Sequence, residues 1–338
     1  MAEPASQFIG GDYSPSAYWR SIVLLGRNVA SYKFALGAVL LDLTERSGDF
    51  VSLEDLALPY AKMICNRLGD GGKQTTSPRS EFLDACRRYS QNELTQEGLV
   101  GKTIKHGFNH VLGAFHVVGG EPCPRRFFEV ERVGRVKGIR LTENLGELGG
   151  SLQFQNLWPE LDTRWRLVGM SWALSVPTQA LTVAHDHAGG ILVGIDPSGR
   201  RPPLAQTRSA ISGYLAGRCF YCRREIELED VHVDHYVPRR LIDLDVLRAR
   251  NLDGVWNLVL ACPECNAAKS DRLAAPRFYR RLQRRNEWYI ASDHPLKPTV
   301  IAQTGTTPRK RVRFFSELWK DLPLLPRWEP SDEERLDL

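Results

Sequence analysis

Nowhere does the sequence approach the roughly 20 consecutive apolar residues that a bilayer span needs. Its most apolar stretch, Ser21 to Leu43, is interrupted by Arg27, Lys33 and Asp42 and reads as an amphipathic core helix. The opening residues, Met1 to Gly11, lack the basic start and apolar run of a secretory leader, so a cytoplasmic protein is expected. Internal repeats and low-complexity runs are also missing. Charge of one sign is not in large excess, with a net value of +5. What remains is ordinary globular material: 338 residues, 42% hydrophobic and 25% charged, enough to bury a real core in two domains, three at most.

The modest net charge hides an uneven distribution. Between Arg200 and Lys320 stand 23 Lys/Arg against 13 Asp/Glu, a surplus of ten. The first 199 residues are nearly neutral and the end, Asp321 to Leu338, is acidic. A basic surplus confined to one segment suits phosphate contact, although Arg-rich helices also serve as plain solvated surfaces.

Helical spacing of apolar residues marks Ile22 to Thr44, Leu53 to Leu68, Ser80 to Tyr89, Gly98 to Phe115 and Leu161 to Leu174. Phe127 to Leu141 alternates as a small hairpin would. The stretch from Asp196 to Pro203, rich in Pro, Gly and charge, is the best boundary. These features divide the chain into a mostly helical domain at 1–195, a compact module at 205–275, and a basic helical extension with an acidic, loosely packed tail at 276–338. The fold class is α+β. Gln206 to Leu215 and Arg277 to Trp288 are further helices.

Chemistry concentrates in the module. Of seven cysteines, four form the pairs Cys219/Cys222 and Cys262/Cys265, with 39 residues between them; Cys65, Cys86 and Cys123 read as buried small hydrophobes. Each pair puts two thiolates on one tight turn, and together they make a tetrahedral sulfur set that suits structural Zn²⁺. A redox pair is the rival reading. The insert between the pairs must fold, and it carries Asp234-His235 at the end of a strand-like Val231-His232-Val233. Asn257 opens a second apolar strand, Leu258 to Leu260, and Asn266 follows Cys265 at the start of a helix with Lys269, Ser270 and Asp271 behind it. His232 falls on the opposite face from His235.

This order of Asp-His, Asn and Asn, bracketed by cysteine pairs, resembles the HNH (ββα-metal) endonuclease superfamily in its zinc-stapled branch. The resemblance covers Cys219 to Leu273. The last His of the family name is Asn266 here, which keeps an oxygen ligand. The resemblance implies that Asp234 and Asn266 hold one catalytic Mg²⁺ or Mn²⁺, that His235 is the general base, and that Asn257 orients the imidazole or pins its loop. It implies DNA as partner, with Lys269 near a phosphate. Arg239 and Arg240, with Arg248 and Arg250 on the same long loop, are expected along the substrate backbone. Arg280, Arg281, Arg284 and Arg285 are expected to contact nucleic acid from the basic helix. The flanks, including Arg285-Asn286-Glu287, His294-Pro295-Leu296 and Gln303-Thr304-Gly305, resemble stand-alone bacterial HNH proteins of anti-phage defence systems, which implies a protein partner from a defence operon. An RNase of the same fold and a non-catalytic zinc module that binds DNA are the alternatives. His185-Asp186-His187 lacks a third ligand at a sensible spacing and reads as a surface loop. Trp158, Trp165 and Trp172 recur every seven residues, as a buried helix stripe does. Oligomeric state is not legible.

Overall fold

The computed structural model describes residues 13–25, 30–69, 73–77, 79–173, 182–186, 191–195, 203–212, 217–243, 247, 250–291, 296–322 and 327–330. The chain clusters into two compact units, Met1–Ser175 and Val176–Leu338, so the division falls ahead of the boundary expected near 195.

The first unit begins with α1 (Pro15–Leu25) and α2 (Tyr32–Leu41). One helix was expected over Ile22 to Thr44; two form because Ala30 bridges Thr75 and Ser31 N donates to Gln74 O at 2.9 Å. Those tertiary bonds take backbone groups that a continuous helix would have used. After β1 (Phe50–Ser52) come α3 (Leu53–Gly69), α4 (Glu81–Ser90) and α5 (Gln96–Lys102). The Ser80 side chain caps α4 by accepting from Leu83 N. The expected helix from Gly98 to Phe115 is interrupted late: α5 continues as a π-helical turn through Thr103–Gly107, breaks at 108–110, and helix resumes in α6 (Val111–Ala114).

The short strands β2 (Val117–Val118) and β3 (Glu121–Pro122) pair with each other. The hairpin β4 (Phe128–Val133) and β5 (Val136–Leu141) turns at Gly134, which sits at φ +59 where a side chain would be strained. Sequence alternation indicated this hairpin but not its third strand. β1 pairs with β5 through Val51↔Ile139, and Gly138 permits the approach, since a Cβ there would lie 2.2 Å from Val51 O. Next come α7 (Glu143–Gly149) and α8 (Phe154–Ala173). α8 packs on α1 and α2. It is tied to α1 by a buried ion pair, Arg20 Nε to Glu160 Oε2 at 2.8 Å. Trp165 and Trp172 are buried on α8, whereas Trp158 is 42% exposed, so the seven-residue stripe is only partly internal.

The second unit opens with a three-stranded antiparallel sheet, β6 (Thr182–Asp186), β7 (Ile191–Ile195) and β8 (Pro203–Gln206). His185 and Asp186 therefore lie in a strand rather than a surface loop; His187 falls outside the described residues. Most of the expected linker, 196–202, also lies outside them. After α9 (Thr207–Ser212) the chain reaches β9 (His232–His235) and β10 (Leu258–Ala261), which pair antiparallel through Val259↔Asp234 and Leu258↔His235. Every residue of β10 is buried, as a strand covered on both faces requires. α10 (Pro263–Lys269) follows at once, with Pro263 at its first position and Cys262 as N-cap.

The remaining helices are α11 (Pro276–Ala291), α12 (Lys297–Thr304) and α13 (Pro308–Asp321). The basic extension is not an appendage. Phe278 of α11 stacks edge-on against Tyr221, with ring centroids 5.3 Å apart. Nor is the end of the chain loose throughout: Trp328 is buried against Tyr221 and exchanges backbone hydrogen bonds with Leu273 and Ala275. Residues 331–338 lie outside the described residues.

Candidate metal centre and active site

Four sulfurs converge. The ligand atoms of Cys219, Cys222, Cys262 and Cys265 all lie within 4.8 Å of one another, and all four residues are buried. The Cys222 and Cys262 sulfurs are 3.9 Å apart. A tetrahedron with Zn–S bonds of about 2.3 Å has edges of about 3.8 Å, so the spacing fits Zn²⁺. The first pair sits on a knuckle closed by Arg223 N to Cys219 O at 3.0 Å, with Arg223 at φ +66. Phe220 N binds Leu260 O at 2.8 Å, which docks this knuckle on β10. The second pair forms the first turn of α10. Cys262 N donates to Cys219 Sγ and Cys265 N to Cys262 Sγ, each at 3.4 Å, as donors to thiolates do. Crowding splits the acidities: bonds from Cys222, Cys262 and Cys265 pull the Cys219 thiol down, while Cys219 and its neighbours push Cys265 up. A divalent cation at the centre would relieve that mutual repulsion and keep all four ionised.

β9, β10 and α10 form a ββα unit around this cluster. Alternation along β9 turns Asp234 inward, 9% exposed. Its carboxylate accepts from Tyr221 Oη at 2.5 Å and from Lys269 Nζ at 3.0 Å. Lys269 has no exposed surface and also donates to His235 O at 2.9 Å. Burial pushes the Asp234 carboxyl above its ordinary range and the Lys269 ammonium below its own; each partner opposes the other's shift. Lys269 thus departs from the phosphate role expected of it. It neutralises a buried carboxylate and ties α10 to β9.

His235, on the other face of β9, has its Nε2 3.4 Å from Asp253 Oδ1 and a side chain 13% exposed. The same Asp253 oxygen accepts from Arg239 Nε at 3.2 Å. Asn257 is fully buried and clamps two loops. Its Oδ1 accepts from Val237 N at 2.8 Å, and its Nδ2 donates to Val237 O at 2.9 Å and Leu252 O at 2.8 Å. Both the chain leaving His235 and the chain leading into Asp253 are held by this one amide. Asn266 is half-buried on α10, three residues before Lys269 on the same helix face, and its amide has no hydrogen-bond partner among the described residues. A carboxylate with an amide oxygen is the hard donor chemistry that Mg²⁺ and Mn²⁺ take, and Asp234 and Asn266 are of that chemistry, with the Asp234 oxygens engaged by Tyr221 and Lys269 in this structure. Here the Lys269 ammonium supplies the positive charge beside Asp234.

The basic residues divide. Arg239 and Arg240 are 59% and 52% exposed, and Arg280 and Arg284 are exposed on α11. Arg248 lies outside the described residues. Arg250 is turned inward to α13, 2.9 Å from Asp321 Oδ2. Arg281 and Arg285 are tied into the fold by hydrogen bonds to backbone carbonyls. Arg281 donates to the backbone carbonyls of Phe220 and Tyr221 in the first zinc knuckle. Arg285, 7% exposed, donates to the carbonyls of Leu258 and Trp256 at the head of β10. The sequence carries a signal for this: Phe278, Leu282, Arg285 and Tyr289 share one helical stripe, and the other three are buried apolar positions. Tyr221 and Asp253 escaped sequence reasoning altogether. One is hidden inside a Cys-x-x-Cys turn, the other in a loop whose path no periodicity reveals.

A ββα unit closed by a four-cysteine cluster, with Asp-His ending its first strand, defines the zinc-stapled ββα-metal class. Residues 219–272 match the family model described as HNH endonuclease, and this segment is an HNH endonuclease domain. No curated protein and no solved structure matches the chain. Among the described residues, no helix is long and apolar enough to cross a membrane.

Proposed function

We propose that the protein is a metal-dependent endonuclease that hydrolyses phosphodiester bonds in DNA, with His235 as general base. The observation that carries this reading is the placement of His235. It ends β9, with Asp253 at its Nε2 and Asn257 locking the loops on either side. In this reading the imidazole takes a proton from water, the water oxygen bonds to phosphorus, and the P–O3′ bond breaks in line. The products are a 5′-phosphate and a 3′-hydroxyl. The Asp253 carboxylate, 3.4 Å from Nε2, stabilises the imidazolium by its charge as it forms. Asp234 and Asn266 would hold Mg²⁺ or Mn²⁺, which supplies charge stabilisation at the phosphoryl oxygens and the leaving oxygen. Arg239, Arg240, Arg280 and Arg284 offer exposed charge to the phosphate backbone.

The first unit supplies target choice, a partner surface or restraint of the nuclease. The resemblance of the flanks to stand-alone bacterial HNH proteins is what supports a cytoplasmic role in anti-phage defence, with a partner from the same operon. Plaque counts on bacteria carrying the wild type or His235→Ala test that role. The substrate is tested by incubating the zinc-loaded protein with supercoiled plasmid, linear duplex, single-stranded DNA and RNA, each with Mg²⁺, Mn²⁺ or EDTA. Metal-dependent loss of the DNA substrates is expected. Cleavage of RNA alone would replace the DNA reading with that of an RNase, and binding without cleavage under any condition would favour a non-catalytic module.

A further inference from the structure

α11 and α13 enclose a groove of about 1200 Å³, larger than the roughly 300–1,000 Å³ of a typical small-ligand pocket. Two ties hold the helices around it: Tyr279 Oη to Phe315 O at 2.5 Å, and the Glu287–Arg311 ion pair at 2.6 Å. The groove is lined on one wall by Arg277, Arg280, Arg284 and Trp288, which recur about one turn apart along α11. The opposite wall is apolar, with Pro308 and a Val312 that is 66% exposed. Arg280 and Arg284 make no ion pair or hydrogen bond among the described residues, and the charge of Glu287 is already met by Arg311.

We infer that this groove binds an unpaired nucleic-acid strand beside the nuclease module, phosphates on Arg280 and Arg284 and a base on Trp288. This deepens the proposed function and rests on it for the identity of the polymer. The choice of a single strand follows from the pairing of surfaces. A duplex presents phosphates outward and keeps its base faces stacked inside, so it could use the arginines but leave Trp288 and Val312 facing water. An unpaired strand presents both phosphates and bare aromatic faces, and a basic track with an aromatic platform is what such strands bind. A strand end released by a nick, or a locally opened segment, is the chemical class of occupant.

The test uses the full-length, zinc-loaded protein without Mg²⁺ or Mn²⁺, so that binding is read separately from cleavage. Fluorescence anisotropy follows a labelled oligothymidylate, with the matching duplex and polyglutamate as competitors. The wild type should prefer the single strand. Trp288→Leu should weaken it roughly five- to a hundredfold, as loss of one stacked base does, with recovery in Trp288→Phe. Arg280→Glu combined with Arg284→Glu should weaken it further and reduce its salt dependence. Zinc content and thermal melting establish that each variant is folded, and the arginine pair carries the test if Trp288→Leu is not. Unchanged single-strand affinity in the folded variants would overturn the inference. So would duplex binding that falls in parallel in Trp288→Leu, or displacement of the oligonucleotide by polyglutamate, which would make the groove a site for acidic polypeptide. Because no cleavage is scored, an inactive nuclease with a working groove, and an active nuclease without one, remain distinguishable.

Discussion

Lys269 Nζ lies 3.0 Å from Asp234 Oδ1, an ion pair between the last turn of α10 and the strand that ends in His235. With Lys269 fully buried, this pair cannot reach a substrate phosphate unaided. Its consequence is for folding. Removing one partner of a buried pair strands the other charge, which costs about 3–5 kcal/mol. Lys269→Met should therefore destabilise the second unit by that order in urea denaturation. Adding Asp234→Asn should recover part of the loss, because the stranded carboxylate is gone. A Lys269→Met protein of wild-type stability that only binds DNA less tightly would restore the phosphate role.

Zinc should be part of the folding free energy of the same unit, since four buried thiolates share one ion. Elemental analysis should find one Zn²⁺ per chain. Cys262→Ser should lose the metal while keeping α10 capped, because a serine oxygen can accept from Cys265 N as Cys262 Sγ does. Unchanged zinc content and melting in this variant would remove the structural-zinc account.

The arginines of α11 should separate by function. Arg285→Met leaves the carbonyl of Leu258 without its side-chain donor and Trp256 O with Asn286 Nδ2 alone, and a lost partner on a buried carbonyl costs about 1–3 kcal/mol. It should melt the unit earlier. Arg284→Ala should leave melting within about 0.5 kcal/mol of wild type, as exposed substitutions do, while lowering the salt slope of DNA binding. The reverse assignment would mean that α11 presents its other face to nucleic acid.

The first unit carries a pH dependence of its own. His116 is buried and its Nε2 accepts from Phe127 N at 2.9 Å, so the neutral ring is the folded form. Burial, reinforced by Arg126 and Lys33, lowers its pKa to about 3. The unfolded chain, with an ordinary value near 6.5, binds the proton first. Stability contributed by His116 is thus complete above pH ~6.5 and is lost as pH falls from there toward 3, at up to about 1.4 kcal/mol per pH unit. His116→Gln, which keeps an acceptor, should flatten the acid limb of stability against pH. An acid limb of the same slope would assign it to other groups.

How much of this was legible beforehand depends on the range of the interactions. The cysteine pairs, Asp234-His235, Asn257 and Asn266 announce themselves because spacing within a short segment fixes them, and the ββα unit follows from the strand-like flanks. The roles of the charged residues were harder to read. Lys269 looks like a solvent-facing cation in a one-dimensional view, and although Arg285 shares a stripe with Phe278, Leu282 and Tyr289, only tertiary packing shows which carbonyl or carboxylate each meets. The split of the first expected helix at Ala30 and the added strand β1 have the same origin, in pairing with Thr75 and Ile139, distant in sequence.

The central claim is that His235 activates water, and loss of a general base typically costs ~10²–10⁴-fold in rate. The most direct measurement is relaxation of supercoiled plasmid by His235→Ala against wild type, with Mg²⁺ or Mn²⁺, and with DNA affinity and zinc content measured on the same preparations. The account predicts a rate loss of that order at nearly unchanged affinity and zinc, and wild-type products that ligase reseals. Wild-type-like relaxation by His235→Ala, or relaxation that persists after the divalent ion is chelated, would contradict it.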